Sequence, residues 1–283
     1  MARRRKKQSS PCSAQSLKTR GLPKNLQRIN LNAAGIDVGS RQHYVAVPEG
    51  RDDLCVRAFG TFTADLAALA DWLKACGVTT IAMESTGVYW IPVFEMLEAR
   101  GFDVKLVQPR QLKNVPGRKT DVVDCQWIQQ LHTYGLLSAS FRPDDQICVL
   151  RSYMRQRDNL VRQAATHIHH MQKALMEMNI QLHHVLSDIT GLTGMKIINA
   201  ILAGERDPQR LAALRHGRCK NDEATIAAAL EGNWRDDHLF ALRQAVDLFQ
   251  VYHQKMAELD ERIETHLNAF ENKSDGDPLP RRK

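Results

Sequence analysis

The chain has 283 residues, of which 43 % are hydrophobic and 25 % charged, values that are ordinary for a globular protein. No run approaches the ~18 consecutive apolar residues of a membrane span, and the basic N-terminus is not followed by the apolar core of a secretory signal. The six cysteines are scattered without a CxxC pair, which argues against a structural zinc site and a disulfide framework and favours free thiols in a reducing cytoplasm.

The net charge of +7 is located mainly at the N-terminus, where residues 1–28 contain nine Lys or Arg and no acid. The rest of the chain is left with a net charge of −2. We predict that residues 1–30 form a disordered basic tail suited to contact with a polyanion. A second excess lies within residues 100–173, which hold twelve Lys or Arg against six Asp. We expect both basic regions to contact nucleic acid in a nucleoid-associated cytoplasmic protein; the alternative for the tail is a solubilising role alone or a start assigned too far upstream.

An α/β domain is predicted over residues 31–142. Its expected elements are two strands within 33–47 joined by a Gly-Ser turn, a strand in 54–62, a helix at 63–77 capped by Thr63, a strand at 78–83, a helix at 87–101, a strand at 102–107 and a helix from Thr120. Three strands followed by alternating helices and strands is the ribonuclease-H-like, or RuvC-like, order.

Residues 143–271 are predicted to be helical, with hydrophobic residues at the 3-4 spacing typical of a coiled coil. The first series runs from Ile147 to Met178, with Arg157 as its exception; the second runs from Leu239 to Phe270 and includes a His and an Asp. The two could pair antiparallel within one chain or with another subunit. Shorter helices broken at glycines are expected over 187–232, and residues 272–283 have the composition of a linker.

Four acidic residues are candidates for one metal site. Asp37 ends the first apolar strand and Glu84 ends the fourth, and packing does not explain an acid at either position. Asp121 and Asp124 are three apart and share a helical face, although Asp in a first helical turn is also common because it complements the helix dipole. Two carboxylates held together repel each other unless a cation lies between them.

The ribonuclease-H-like order places the first and fourth strands side by side and packs the last helix against them, which brings the four acids together. Carboxylate oxygens suit Mg²⁺ or Mn²⁺, and two such ions support the cleavage and joining of phosphodiesters. The neighbouring cations Arg110, Lys113, Arg118 and Lys119 are predicted to hold backbone phosphates.

The segments "GIDVGS", "MESTGVYW" and "VQPRQLKNVPGRKTDVVDCQWI" resemble the DEDD transposases of bacterial insertion sequences, a family that includes the pilin-gene invertase. The resemblance spans about residues 33–270. It implies a RuvC-like domain with Asp37, Glu84, Asp121 and Asp124 as metal-binding acids, followed by a coiled-coil segment. It also implies Mg²⁺ (or Mn²⁺) as cofactor, DNA as substrate, a homo-oligomer and, for some members, a structured RNA guide.

The chain departs from this family at its C-terminus, because full-length members carry a further domain with a serine that attacks DNA. The sequence stops at Lys283 in linker-like sequence, and we expect a truncated transposase. The alternative is an incomplete remnant that binds nucleic acid and forms mixed oligomers with intact transposase. "GIDVGS" also resembles the phosphate loop of sugar kinases and actin-like ATPases, which would require a second, duplicated domain.

Several smaller patterns have structural interpretations. The histidines between His167 and His184 are expected on solvated helix faces, and residues 189–201 are expected to form a turn between helices. Tyr89 and Trp90 are expected in the core of the helix at 87–100, with stacking on nucleic-acid bases as the alternative. His132 is left out of the predicted site.

Overall fold

A computed structural model describes residues 26–85, 87–108 and 121–270, with the backbone alone for 121–123. Most of the predicted basic tail, the predicted linker and the four cations Arg110, Lys113, Arg118 and Lys119 lie outside the described residues. The chain divides into two compact units between Arg142 and Pro143.

The first unit alternates strands and helices in the order that the sequence predicts. Its elements are β1 (Ala33–Val38), β2 (Gln42–Ala46), β3 (Val56–Gly60), α1 (Thr63–Ala75), β4 (Thr80–Glu84), α2 (Trp90–Ala99), β5 (Asp103–Val107) and α3 (Asp121–Thr133). The predicted succession of three strands and then alternating helices and strands is confirmed.

The five strands form one mixed sheet with the order β3-β2-β1-β4-β5. β1, β2 and β3 pair antiparallel, whereas β1, β4 and β5 pair parallel. The first and fourth strands are therefore central neighbours, as predicted. This arrangement is consistent with a ribonuclease-H-like fold.

The two faces of the sheet are covered by different helices. On one face, Ile36, Ile81 and Met83 are fully buried against α1 and α2, in the main core of this unit. On the other face, Ala82 and Val107 form a smaller cluster with Ile128 of α3. Alternate residues of a strand point to opposite faces of the sheet. Each residue of the central strands therefore faces either α1 and α2 or α3.

The beginning of α1 differs by one residue from the prediction. Phe62, and not Thr63, is the residue before the first helical turn, and its backbone N–H donates to the Asp65 carboxylate at 3.3 Å. The predicted end is confirmed, because Gly77 follows the helix with φ of +68°, a conformation that glycine adopts without strain.

The second unit is helical throughout its described part. It contains α4 (Asp145–Glu177), α5 (Leu182–Val185), α6 (Leu192–Leu202), α7 (Pro208–Ala212), α8 (Glu223–Ala229) and α9 (Asp236–Asn268). α6 begins after Gly191, and a side chain at Gly194 would overlap with the carbonyl oxygen of Ile189. Close packing therefore explains Gly194, which lies inside α6; the predicted turn over 189–201 is confined to the residues before Leu192.

The two long helices, α4 and α9, have 33 residues each and pack antiparallel within the chain. Glu177 contacts His238 near one end, whereas the ring of His266 contacts the carbonyl oxygen of Gln146 at 2.7 Å near the other. Of the two pairings that the spacing left open, the structure shows the one within the chain. Among the described residues, no helix is long and apolar enough to cross a membrane.

The two halves of this helix pair are buried to different extents. Met171, Leu175 and Met178 are buried in a core shared with the short helices. In the other half, which we call the stem (residues 145–168 of α4 and 249–268 of α9), Met154 is 45 % and Val161 42 % exposed although both belong to the predicted seam. The stem thus presents apolar side chains to solvent.

Candidate active site

Asp37 lies at the carboxyl-terminal end of β1 on the face covered by α3. The face follows from Gly35, because a side chain there would overlap with the backbone of Cys125 and Gln129 in α3. Asp37 is two residues further along the strand and so points to the same side. Its side chain is half-buried. The first predicted acid is therefore directed toward the helix that carries the last two.

Glu84 lies beside Asp37 on the neighbouring strand. β1 and β4 pair parallel with Ile36 opposite Met83, so Asp37 and Glu84 are the next positions in register. Hydrogen-bonded strands lie about 4.8 Å apart. Ala82, two residues before Glu84, packs toward α3, which places Glu84 on the same face as Asp37.

α3 runs antiparallel to β1, which brings its first turn to the edge where both strands end. The Gln129 side chain donates to the carbonyl oxygen of Ala33 at 3.3 Å, at the start of β1. Cys125 packs over Gly35 one turn earlier in the helix. Asp124 and the backbone of Asp121 therefore lie toward the end of the strand that carries Asp37.

The buried thiol of Cys125 connects the acids of the strand and the helix electrostatically. Burial raises the pKa of this thiol, and the negative charges of Asp37 and, to a smaller extent, Asp124 raise it further. Both carboxylates thus act on one buried atom. The thiol therefore stays neutral and adds no further negative charge beside these two acids.

The described acids do not by themselves complete a metal centre. In the described part of the chain, no group of three or more His, Cys, Asp or Glu side chains is arranged to hold a metal ion. The side chain of the fourth predicted ligand, Asp121, lies outside the described residues. The structure brings Asp37, Glu84 and Asp124 to one edge of the sheet and leaves the side chain of Asp121 unplaced.

His132 lies at the opposite end of α3 from the acids. It is buried, and its Nε2 is 2.9 Å from the hydroxyl of Thr80, at the start of β4. Burial lowers its pKa, so the neutral ring is favoured. Its omission from the predicted site agrees with this position.

Two exposed features of the acid edge were missed or misassigned from the sequence. Arg41 is exposed in the turn between β1 and β2, four residues after Asp37, and adds a cation at this edge. Tyr89 is 48 % exposed and not in the core as predicted, although Trp90 does pack against the core. The Gly-Ser turn in "GIDVGSR" could have indicated the position of Arg41, because a tight turn after β1 keeps the following residue at the edge of the sheet where Asp37 lies.

Residues 34–180 match the IS110-type DEDD transposase family, described simply as a transposase. The match covers 147 of the 283 residues, more than half of the chain. The chain belongs to this family. The matched region contains all four predicted acids and extends through α4. No curated protein matches the chain.

Membership of the IS110 family confirms the resemblance and implies an enzyme that binds DNA. It decides against the sugar-kinase interpretation. The fold agrees, because residues 143–270 are helical where they are described and do not repeat the α/β unit that such kinases require.

Proposed function

We propose that this transposase cleaves and transfers DNA strands in a metal-dependent reaction at the edge formed by the ends of β1 and β4 and the start of α3. The observation that carries the proposal is the parallel register of Asp37 and Glu84 on the face covered by α3. Both acids are directed toward the helix that carries Asp124.

Asp37, Glu84, Asp121 and Asp124 are the residues that would hold Mg²⁺ or Mn²⁺. The donor set fits, because it consists of carboxylate oxygens, which these hard cations prefer, and because two adjacent carboxylates are stable together only near a cation. When bound, such ions activate a nucleophile and stabilise the leaving oxygen of a phosphodiester.

The chain's own residues have separate tasks in this proposal. The four acids would hold the cation near the phosphate of the substrate, and two of them belong to α3. Arg41 supplies positive charge for the DNA backbone at the same edge. Arg110, Lys113, Arg118 and Lys119, which precede α3 in the sequence, would supply further positive charge for backbone phosphates.

We further propose that residues 31–142 form the catalytic domain and that residues 143–271 form a coiled-coil segment that joins two copies of the chain. A groove of about 500 Å³ runs along the stem and is lined by Val161, Ala164, Phe249 and Met256. Exposed apolar side chains along a helix pair favour a further helix as their partner. A second copy supplies such a helix, and the groove and the exposed seam are then covered together.

The proposal is tested by titrating Mn²⁺ calorimetrically into the purified chain and by measuring cleavage of end-labelled branched DNA with Mn²⁺ present. Asp37→Asn and Asp124→Asn should each weaken metal binding at least tenfold and abolish cleavage. Asp53→Asn is the matched control, because Asp53 is exposed in the loop after β2, at the opposite edge of the sheet. Circular dichroism verifies that all three variants fold.

Full cleavage by Asp37→Asn and Asp124→Asn would refute the four-acid site. If metal binds only when branched DNA is present, the titrations are compared in its presence. A chain that binds DNA but neither binds metal nor cleaves under any of these conditions would support the alternative, a remnant that acts by forming mixed oligomers with intact transposase.

A further inference from the structure

The turn between β4 and α2 exposes two apolar side chains in succession. Val88 is 67 % and Tyr89 48 % exposed. The next residue, Trp90, packs against the core and contacts the ring of Phe94 edge-to-face, with the ring centres 5.8 Å apart. The chain therefore enters the core at Trp90, and the two residues before it are held at the surface by a helix that begins immediately after them.

This turn lies at the same edge of the sheet as the acids. Tyr89 is five residues after Glu84, so their Cα atoms are at most ~18 Å apart. Both the backbone N–H and the hydroxyl of Ser85 donate to the carbonyl oxygen of Val107, at 3.1 and 3.2 Å. These bonds tie the start of the turn to β5 and fix its position relative to Glu84.

The ring of Tyr89 lies beside a residue without a side chain. Gly87 has φ of +56°, and a Cβ at this position would be 3.6 Å from Cδ2 and Cε2 of Tyr89. One edge of the ring is therefore next to bare backbone. Tyr89 itself has helical dihedral angles, with φ of −69° and ψ of −21°, because it is the residue that precedes α2. The ring is thus presented from a fixed backbone and not from a long loop.

We propose that Tyr89, with Val88 beside it, stacks on an unpaired base of the DNA strand whose phosphate lies at the acids. The inference rests on the proposed function and specifies its substrate: DNA with unpaired nucleotides within about five positions of the cleaved phosphate, given ~3.4 Å per nucleotide along a strand. An aromatic ring stacks on the face of any base, but a base within a continuous duplex is already covered by its neighbours.

The position of the two side chains favours DNA over another protein segment as their partner. The turn continues directly from the strand that carries Glu84, and the DNA of a transposase must reach this edge for its phosphate to meet the acids. Arg41, across β1 from the turn, is exposed at the same edge and suits the backbone of the same strand. The edge thus offers a cation for phosphates and a ring for a base.

The test measures binding of the full chain to two fluorescent DNAs of equal length with Ca²⁺ present to limit cleavage. One is a branched DNA with unpaired nucleotides at its junction, and the other is a continuous duplex. Tyr89→Ala should weaken binding to the branched DNA roughly 5- to 150-fold, the range for loss of one base–aromatic stack. Its affinity for the duplex should change less than twofold. Tyr89→Trp should restore affinity for the branched DNA.

Leu31→Ala is the matched control, because Leu31 is 64 % exposed just before β1, at the opposite edge of the sheet. Its affinity for both DNAs should be unchanged. A second measurement uses the unsubstituted chain and 2-aminopurine placed at the unpaired position or in the duplex arm. Quenching is expected only at the unpaired position.

Equal effects of Tyr89→Ala on the two DNAs, or the absence of quenching, would overturn the inference. A change of oligomeric state without a change in DNA affinity would also overturn it and would identify a protein contact. Failure of the proposed function is recognised separately, because it would appear as continued cleavage by Asp37→Asn. If that variant loses cleavage while Tyr89→Ala behaves like Leu31→Ala, the stacking inference alone is wrong.

Discussion

Arg157 and Asp260 pair across the two long helices through two hydrogen bonds, Nε to Oδ1 at 2.6 Å and Nη2 to Oδ2 at 3.1 Å. Arg157 interrupts the first hydrophobic series and Asp260 is one of two polar residues in the second, so these two exceptions lie opposite each other. Both side chains are partly exposed, and such pairs add little to overall stability. The pair instead specifies how α4 and α9 align, because an offset alignment of the two helices would place both charges against apolar side chains.

Reversing one charge of this pair should therefore disturb the alignment of the stem. Arg157→Asp places two carboxylates opposite each other, and Asp260→Arg places two guanidinium groups opposite each other. We expect each single variant to lower Tm by a few degrees and the double variant to recover most of the loss. Thermal unfolding followed by circular dichroism measures this. Additive losses in the double variant would contradict the pairing.

The same pair gives a pH dependence with a definite sign. The hydrogen bond and charge of Arg157 lower the pKa of Asp260. A carboxyl group whose pKa is lowered by folding stabilises the protein above its unfolded pKa, and this contribution is lost as the pH falls through the folded value. The stabilisation by Asp260 should thus be complete at neutral pH and disappear below about pH 4. Asp260→Asn, compared with the unsubstituted chain from pH 7 to 3, measures it.

Gly35 should be required for the acids to meet, because α3 approaches β1 at this residue. The methyl group of Gly35→Ala would overlap with the backbone of Gln129 and Cys125 and push α3 away from the sheet. Overpacking of this kind costs about 1–3 kcal/mol. In urea unfolding we expect a loss of that size, and weaker Mn²⁺ binding under conditions where the variant is folded.

Gly217→Ala is the control for this substitution, since a Cβ at Gly217 meets nothing within 4 Å. It should leave stability within about 1 kcal/mol and metal binding unchanged. Unaltered stability and metal affinity in Gly35→Ala would mean that the contact between α3 and β1 does not position the acids.

His43 should make the first unit less stable in mild acid. It is buried opposite Val38, and its Nδ1 has no hydrogen-bond partner within the described part of the chain. Burial lowers its pKa, so the unfolded chain binds a proton more readily than the folded one. Stability should therefore fall as the pH drops below the unfolded value of about 6.5, by at most ~1.4 kcal/mol per pH unit, until the pH reaches the folded pKa.

Replacement of His43 by Leu should flatten this slope between pH 7 and 5, because the buried side chain can no longer take up a proton. His132 is also buried with a lowered pKa, and it should account for part of the remaining slope. Urea unfolding at several pH values measures both contributions. A slope in His43→Leu that equals that of the unsubstituted chain would show that His43 is not the group that titrates.

The order of the strands, and the position of Asp37 and Glu84 at the ends of two of them, could be predicted because they depend on local patterns. Asp37 and Glu84 each end an apolar strand, and the strand order then makes them neighbours. The exposure of Tyr89 could not be predicted in this way. "GVYWIPVFEMLEARG" reads as one helix, but the helix begins only at Trp90, and this difference decides which aromatic residue enters the core.

The contact at Gly35 was also beyond the reach of sequence patterns. The sequence around a glycine in an apolar strand does not indicate which helix will pack against it. The pairing of Arg157 with Asp260 could be anticipated only once the antiparallel register was known, because many registers align hydrophobic series of this length. Long-range geometry, and not local propensity, determines both features.

The exposed seam of the stem predicts which substitutions should separate two copies of the chain. Val161 lines the groove between α4 and α9 and is 42 % exposed, so Val161→Glu would place a charge in the proposed contact with little effect on the helix itself. We expect sedimentation equilibrium to show a dimer for the unsubstituted chain and a monomer for this variant. Gln163→Glu adds the same charge at an exposed position outside the groove and should leave the dimer intact. A stable dimer in Val161→Glu would place the contact between copies elsewhere, whereas dissociation by both variants would indicate a general effect of charge.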